Sequence, residues 1–173
     1  MNRPDVFRRP RRSFGAALRG IGVCLCSERH MRFHTAAAAA ALAVSPFFDW
    51  SALHYAVLLL TIALVMAAEM VNSAVERLTD GQTSAFSPRA GTIKDIAAGA
   101  GLVCAIFAVG VGVCLYAQPE GLARLIRFLT HPGWGSTAAV AFAAVLILFV
   151  VPGPAALLRA VRRKHRRPSE RKN

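Results

Sequence analysis

The sequence predicts an all-α membrane protein, a polytopic helical bundle with an amphipathic interfacial helix at its N-terminal end. Three observations carry that prediction. Apolar residues make up 55% of the 173 and charged residues only 17%, with a mean hydropathy of +0.44. An ordinary soluble domain is about a quarter charged. The apolar residues are gathered into runs, of which residues 53–68 form the clearest. The net charge of +12 sits at the ends: eight of the 21 basic residues fall in positions 1–32 and eight more in 159–172. Basic ends flanking apolar runs point to the lipid bilayer as partner, with both ends on the cytoplasmic side. A basic surface spread along the chain would suggest nucleic acid instead, and no interleaved aromatic pattern supports that partner.

Residues 1–12 are rich in Arg and Pro and read as a flexible basic arm. Arg11-Arg12-Ser13-Phe14 looks like a twin-arginine signal, but Arg19, Glu28 and Arg29 interrupt any apolar core after it, so no cleaved signal is expected. Residues 13–33 read as the amphipathic helix, with Phe14, Leu18, Ile21 and Leu25 at i, i+4, i+7 and i+11. Such a helix lies along the membrane interface, its basic neighbours drawn to anionic headgroups. Residues 34–48 are apolar, short and Ala-rich, a marginal first span. Ser45-Pro46-Phe47-Phe48-Asp49-Trp50 follows as a tight connection without Lys or Arg, placed outside.

The second span is predicted over residues 52–74. A cytoplasmic loop is expected over 77–94, on the strength of Gly81, Ser87, Pro88 and Gly91, and a third span over 96–117. Gly99, Gly101, Gly110 and Gly112 allow close helix packing there. Gly99-Ala100-Gly101 lacks the third glycine and the preceding strand of a dinucleotide fingerprint. Residues 118–135 read as an external loop with a short interfacial helix near 122–129. Residues 136–158 read as a fourth span despite Pro152 and Pro154. Four spans return the basic tail, 159–173, to the cytoplasm; three would leave it outside. The domain division is therefore an arm (1–12), a core (13–117), an external loop with a fourth span (118–158) and a tail. Cys24, Cys26, Cys104 and Cys114 lack zinc-ligand spacing and read as small apolar packing residues.

The second span ends in a polar stripe. Glu69, Asn72, Glu76 and Asp80 stand at i, i+3, i+7 and i+11, within a sector of a helix roughly 80° wide. Glu69 lies about 10 Å along the axis from Glu76, on the apolar side. An ionisable group inside a membrane helix costs several kcal/mol, so it marks a functional site by default. Helix-end acids reaching to water explain Glu76 alone more easily than four groups on one stripe.

Residues 13–34, with Phe14, Gly20, Glu28-Arg29 and Arg32-x-His34, resemble the N-terminal segment of the prokaryotic diacylglycerol kinase family. Glu69-x-x-Asn72-Ser73-Ala74-x-Glu76-x-x-x-Asp80 resembles that family's signature, and Lys94-Asp95 followed by Ala97-Ala98-Gly99 resembles its second block. The resemblance covers about residues 13–117. The Glu28-Arg29-x-x-Arg32-x-His34 pattern is closer to the undecaprenol kinase branch. The resemblance implies a homotrimeric membrane kinase that moves the ATP γ-phosphate to a lipid hydroxyl. It implies Glu69 as general base, and Glu28 and Glu76 as ligands of Mg2+ carrying ATP. Asn72, Asp80, Lys94 and Asp95 would contact nucleotide or position the site, with Arg9 and Ser87 at further ATP-contact positions. Phe14, Arg32, Glu69 and Ala98 would form the lipid side. Phe86-Ser87 stands where the family commonly has Tyr-His, and Ala16 where it commonly has an aromatic residue.

These residue types suit phosphoryl transfer, which needs positioning, charge neutralisation and a destination for the acceptor's proton. Magnesium takes oxygen ligands, often only one or two carboxylates besides the phosphates. No Walker A sequence or soluble-kinase catalytic loop is present. A small transporter or proton-pathway subunit would also use Glu69 and Asn72 inside a bilayer, but gives no role to Glu28 or Lys94-Asp95. A non-catalytic membrane adaptor retaining the fold is the third reading.

Overall fold

The computed structural model describes residues 8–82, 88–131 and 133–153, excepting the side chains of residues 8–12 and 82. Among these residues the ordered elements are all helical. The order is α1 (Arg8–Ser27), α2 (Arg29–Val44), a 3-10 turn (Ser45–Phe47), α3 (Ala52–Gln82), α4 (Pro88–Tyr116), α5 (Pro119–Thr130) and α6 (Trp134–Val150).

The amphipathic segment differs from its sequence reading at both ends. Helix α1 already begins at Arg8, because Pro10 falls in the first turn, where its missing N–H costs nothing. It stops at Ser27, and Glu28 is extended (φ −96°, ψ 122°) before α2 begins. The Ser27 hydroxyl has two acceptors within reach of its one proton, the Val23 carbonyl (2.8 Å) and Glu28 Oε1 (3.0 Å). Such side-chain bonding offers a helix end an alternative to the next backbone turn.

The expected loop over 77–94 is mostly helix. Helix α3 runs on to Gln82 and α4 starts at Pro88, the favoured first helical position for proline. Gly81 and Gly91 keep negative φ and serve as ordinary helix residues; among the described glycines only Gly153 is left-handed. At 1.5 Å per residue α3 is about 46 Å long and α4 about 43 Å, both longer than a hydrocarbon layer about 30 Å thick. These two are long and apolar enough to cross a membrane, and α5 with α6, bent by 95°, together form a third candidate. Helix α2, at 16 residues, reaches only about 24 Å.

Helices α3 and α4 pack along each other, α2 lies on α3, and α6 lies on α2. The most apolar stretch of α4 has no residue buried within the chain. Leu102, Val103, Ile106, Phe107 and Val109 all face outward, as suits a surface solvated by lipid or by another subunit.

Aromatic residues hold the end where α3 begins and α4 finishes. Trp50 stands 4.9 Å and Phe48 5.0 Å from Tyr116, centroid to centroid. Trp50 Nε1 donates to the Leu115 carbonyl (3.3 Å) and the Tyr116 hydroxyl to that of Ala41 (2.6 Å), tying α4 to α2. Rings with a polar tip are enriched at membrane–water boundaries. Helix α5 docks here: Arg124 grips Asp49 with two donors, at 3.2 and 2.7 Å, and Gly121 seats on the Phe48 ring. A Cβ at Gly121 would lie 2.3 Å from the ring edge. Gly121→Ala should therefore lower stability by about 1–3 kcal/mol, as overpacking does. A lower thermal midpoint in detergent, partly restored by Phe48→Leu, would show it; an unchanged midpoint would mean that α5 is loosely held.

Candidate active site

The polar stripe occupies the opposite end of the α3–α4 pair. Glu69 lies about 26 Å along α3 from Ala52, near the far limit of a hydrocarbon layer. It is 9% exposed, one of the few buried charged groups among the described residues. Its carboxylate points across the helix pair at Gly101 of α4, where a Cβ would stand 3.9 Å from Oε2. One turn on, the Asn72 amide donates to Glu76 Oε1 (2.9 Å). The other amide atom, Asn72 Oδ1, is buried with no partner among the described residues. Beyond it Lys94 of α4 forms an ion pair with Asp80 of α3, closing the stripe.

The α1–α2 break brings a third element to α3. Glu28 Oε1 receives a hydrogen bond from Arg77 at 2.9 Å, and Arg77 also donates to the Ser27 hydroxyl. The Arg77 hydrogen bond holds the Glu28 carboxyl below its ordinary value of 4.5. Partial burial opposes this, while the Ser27 hydrogen bond and the charges of Arg77 and Arg32 add to it. The stabilisation from this pair is therefore present above the ordinary carboxylate range and is lost as pH falls through the lowered value. Arg77→Leu should remove this pH-dependent part of the stability, measured as the thermal midpoint in detergent across an acid pH series; a curve parallel to that of the wild type would mean that the Glu28–Arg77 pair contributes nothing.

The structure thus gathers Glu69, Asn72, Glu76, Asp80 and Lys94 on the α3–α4 pair, with Glu28 joined through Arg77. Arg32 is buried, its guanidinium bonded to backbone carbonyls of Cys26 and Val150 at 3.4 and 3.3 Å. Phe14 on α1 and Asp95 and Ala98 on α4 are exposed in the single chain. The Arg9 side chain and the whole of Ser87, with Phe86 beside it, lie outside the described residues. The sequence marks Gly101 only as a packing position and gives Arg77 no role in the site, yet both enter it. Arg77 follows Glu76 directly, which is a signal, but nothing in one dimension brings residue 28 to residue 77.

No group of three or more His, Cys, Asp or Glu side chains among the described residues converges as a metal cage. The oxygen donors lie on two elements: the Glu76 carboxylate and the unpartnered Asn72 Oδ1 on α3, and the Glu28 carboxylate at the α1–α2 break, paired with Arg77 of α3. That donor chemistry fits a hard cation such as magnesium, which completes its shell with water and phosphate.

Comparison with known proteins gives matches over more than half of the chain. Residues 15–116 match the family model for prokaryotic diacylglycerol kinase. A diacylglycerol kinase of Synechocystis sp. is 38% identical over 110 residues, covering 62% of this chain and 62% of that protein. An undecaprenol kinase of Bacillus subtilis is 33% identical over 105 residues, covering 61% of this chain and 85% of that one. No solved structure gives a significant match.

Proposed function

The chain belongs to the prokaryotic diacylglycerol kinase family, and from that premise we propose that it is a membrane lipid kinase. It transfers the γ-phosphate of ATP to the hydroxyl of a lipid alcohol in a magnesium-dependent reaction. The observation that carries this reading is Glu69: a buried carboxylate facing a glycine, about 26 Å along a membrane-spanning helix and so near the edge of the hydrocarbon layer. A lipid hydroxyl reaches that depth from the bilayer without leaving it. Glu69 accepts its proton as the oxygen attacks phosphorus. Asn72 orients Glu76 by its amide hydrogen bond, so that one carboxylate serves the lipid and the other the nucleotide. Bound magnesium, held by Glu28 and Glu76, would neutralise phosphate charge. Lys94 supplies a further positive charge at the same end.

The acceptor class is a primary alcohol on a long apolar body, diacylglycerol or undecaprenol. A homotrimer is the assembly that the family resemblance implies, and it suits Phe14, Asp95 and Ala98, which are exposed in one chain and would be covered by a second copy. The nucleotide end faces the cytoplasm of a bacterial inner membrane, with both basic termini on that side. Topology is checked by thiol labelling of Ser169→Cys in a variant without the native cysteines. Protection from an impermeant reagent in intact cells is expected, and ready labelling would remove the fourth span.

The activity test gives purified protein labelled ATP, magnesium and an equimolar mixture of diacylglycerol and undecaprenol. A labelled phospholipid is expected, and which one forms fixes the acceptor. No product from either lipid, with ion flux in reconstituted vesicles, would replace the kinase by a transporter.

A further inference from the structure

We propose that Arg32 is a positioning residue, clamped between the ends of α1 and α6, and that the end of α6 thereby holds the α1–α2 break that presents Glu28. The inference rests on the kinase reading for the role of Glu28, and on geometry alone for the clamp.

Helices end with carbonyls that have no partner inside the helix, and the helix dipole makes that end partially negative. Two such ends converge on Arg32. Its Nη1 donates to the Cys26 carbonyl at the end of α1 (3.4 Å), and its Nε donates to the Val150 carbonyl at the end of α6 (3.3 Å). Arg32 is 8% exposed, and a buried guanidinium has to be paired. The planar fork lets one residue bridge two helix ends; a lysine ammonium has no such geometry.

Gly153 completes the cradle. It has φ +69°, a conformation that L side chains rarely adopt. A Cβ there would lie 2.9 Å from Arg32 Cζ and 3.1 Å from Nε. The backbone turn and the space above the guanidinium both require glycine.

The consequence reaches the site through a short path. Arg32 holds the last turn of α1, Ser27 and Glu28 follow directly, and Glu28 meets Arg77 of α3. Helix α6 lies beyond residues 15–116, the part that matches the family. A segment added outside the shared core has thus become a support of the core's nucleotide end.

The test uses the full chain with Gly153→Ala, Arg32→Gln and the double variant. Outer supports of a metal-bearing group typically cost about 10–100-fold in affinity when removed. Each single variant should raise the apparent KM for Mg-ATP about tenfold, and Gly153→Ala, which leaves Arg32 itself in place, should keep kcat at saturation near wild type. The double variant should be no worse than either, because both remove one clamp. A second readout needs no activity: a nitroxide on Cys26, whose side chain is exposed, with Cys24, Cys104 and Cys114 replaced by Ala. Its spectrum should gain a mobile component in both single variants. An unchanged spectrum overturns the clamp. Greater mobility with an unchanged KM, or fully additive losses, overturns its link to Glu28. If the wild-type chain makes no phospholipid at all, the kinase reading fails, while the spin-label comparison still decides whether the clamp exists.

Discussion

Glu69→Gln should leave a folded protein that binds Mg-ATP normally and turns over about 10²–10⁴-fold more slowly, the usual loss on removing a general base. The substitution keeps size and shape, so packing against α4 at Gly101 is preserved. What it removes is the group proposed to accept the lipid hydroxyl's proton. ATP affinity should hardly change, because Glu69 sits about two helical turns from Glu76 on α3. Extra magnesium should not restore turnover. The measurement is kcat with apparent constants for ATP and magnesium, taken over a magnesium series. Full wild-type turnover would remove Glu69 from the chemistry, and the kinase reading would lose the observation that carries it.

Glu76→Gln should fail in the other way. Glu76 accepts the Asn72 amide at 2.9 Å, and Asn72 Oδ1 lies buried beside it without a partner among the described residues. A glutamine keeps an acceptor for that hydrogen bond but loses the negative charge. Apparent constants for magnesium and ATP should therefore rise about 10–100-fold, and high magnesium should recover much of the activity. The two variants together form the decisive comparison. If magnesium rescued Glu69→Gln and not Glu76→Gln, the two roles would have to be exchanged.

A helix stripe is a one-dimensional pattern with a fixed period, which is why Glu69, Asn72, Glu76 and Asp80 are legible in the sequence alone. The long apolar runs around them are legible for the same reason, since bilayer thickness sets their length. Helix ends are harder. Gly81, Pro88 and Gly91 resemble loop residues in composition, yet α3 and α4 extend through 81 and 88–91. Tertiary packing of two long helices overrides the modest helix penalty of a glycine.

Local pattern is enough to specify a helical membrane protein, its acidic stripe and the side of the membrane that its basic ends favour, because each follows from periodicity, hydropathy or charge along the chain. Which groups meet across the chain is a matter of tertiary structure. The meeting of Glu28 with Arg77 and of Glu69 with Gly101 depends on how helices cross, as does the closure of Arg32 by Val150 and Gly153. Those contacts join residues up to 121 positions apart, the separation of Arg32 and Gly153. They are settled by the geometry of packed helix ends, where unpaired carbonyls and charged side chains must find partners that no local pattern can specify.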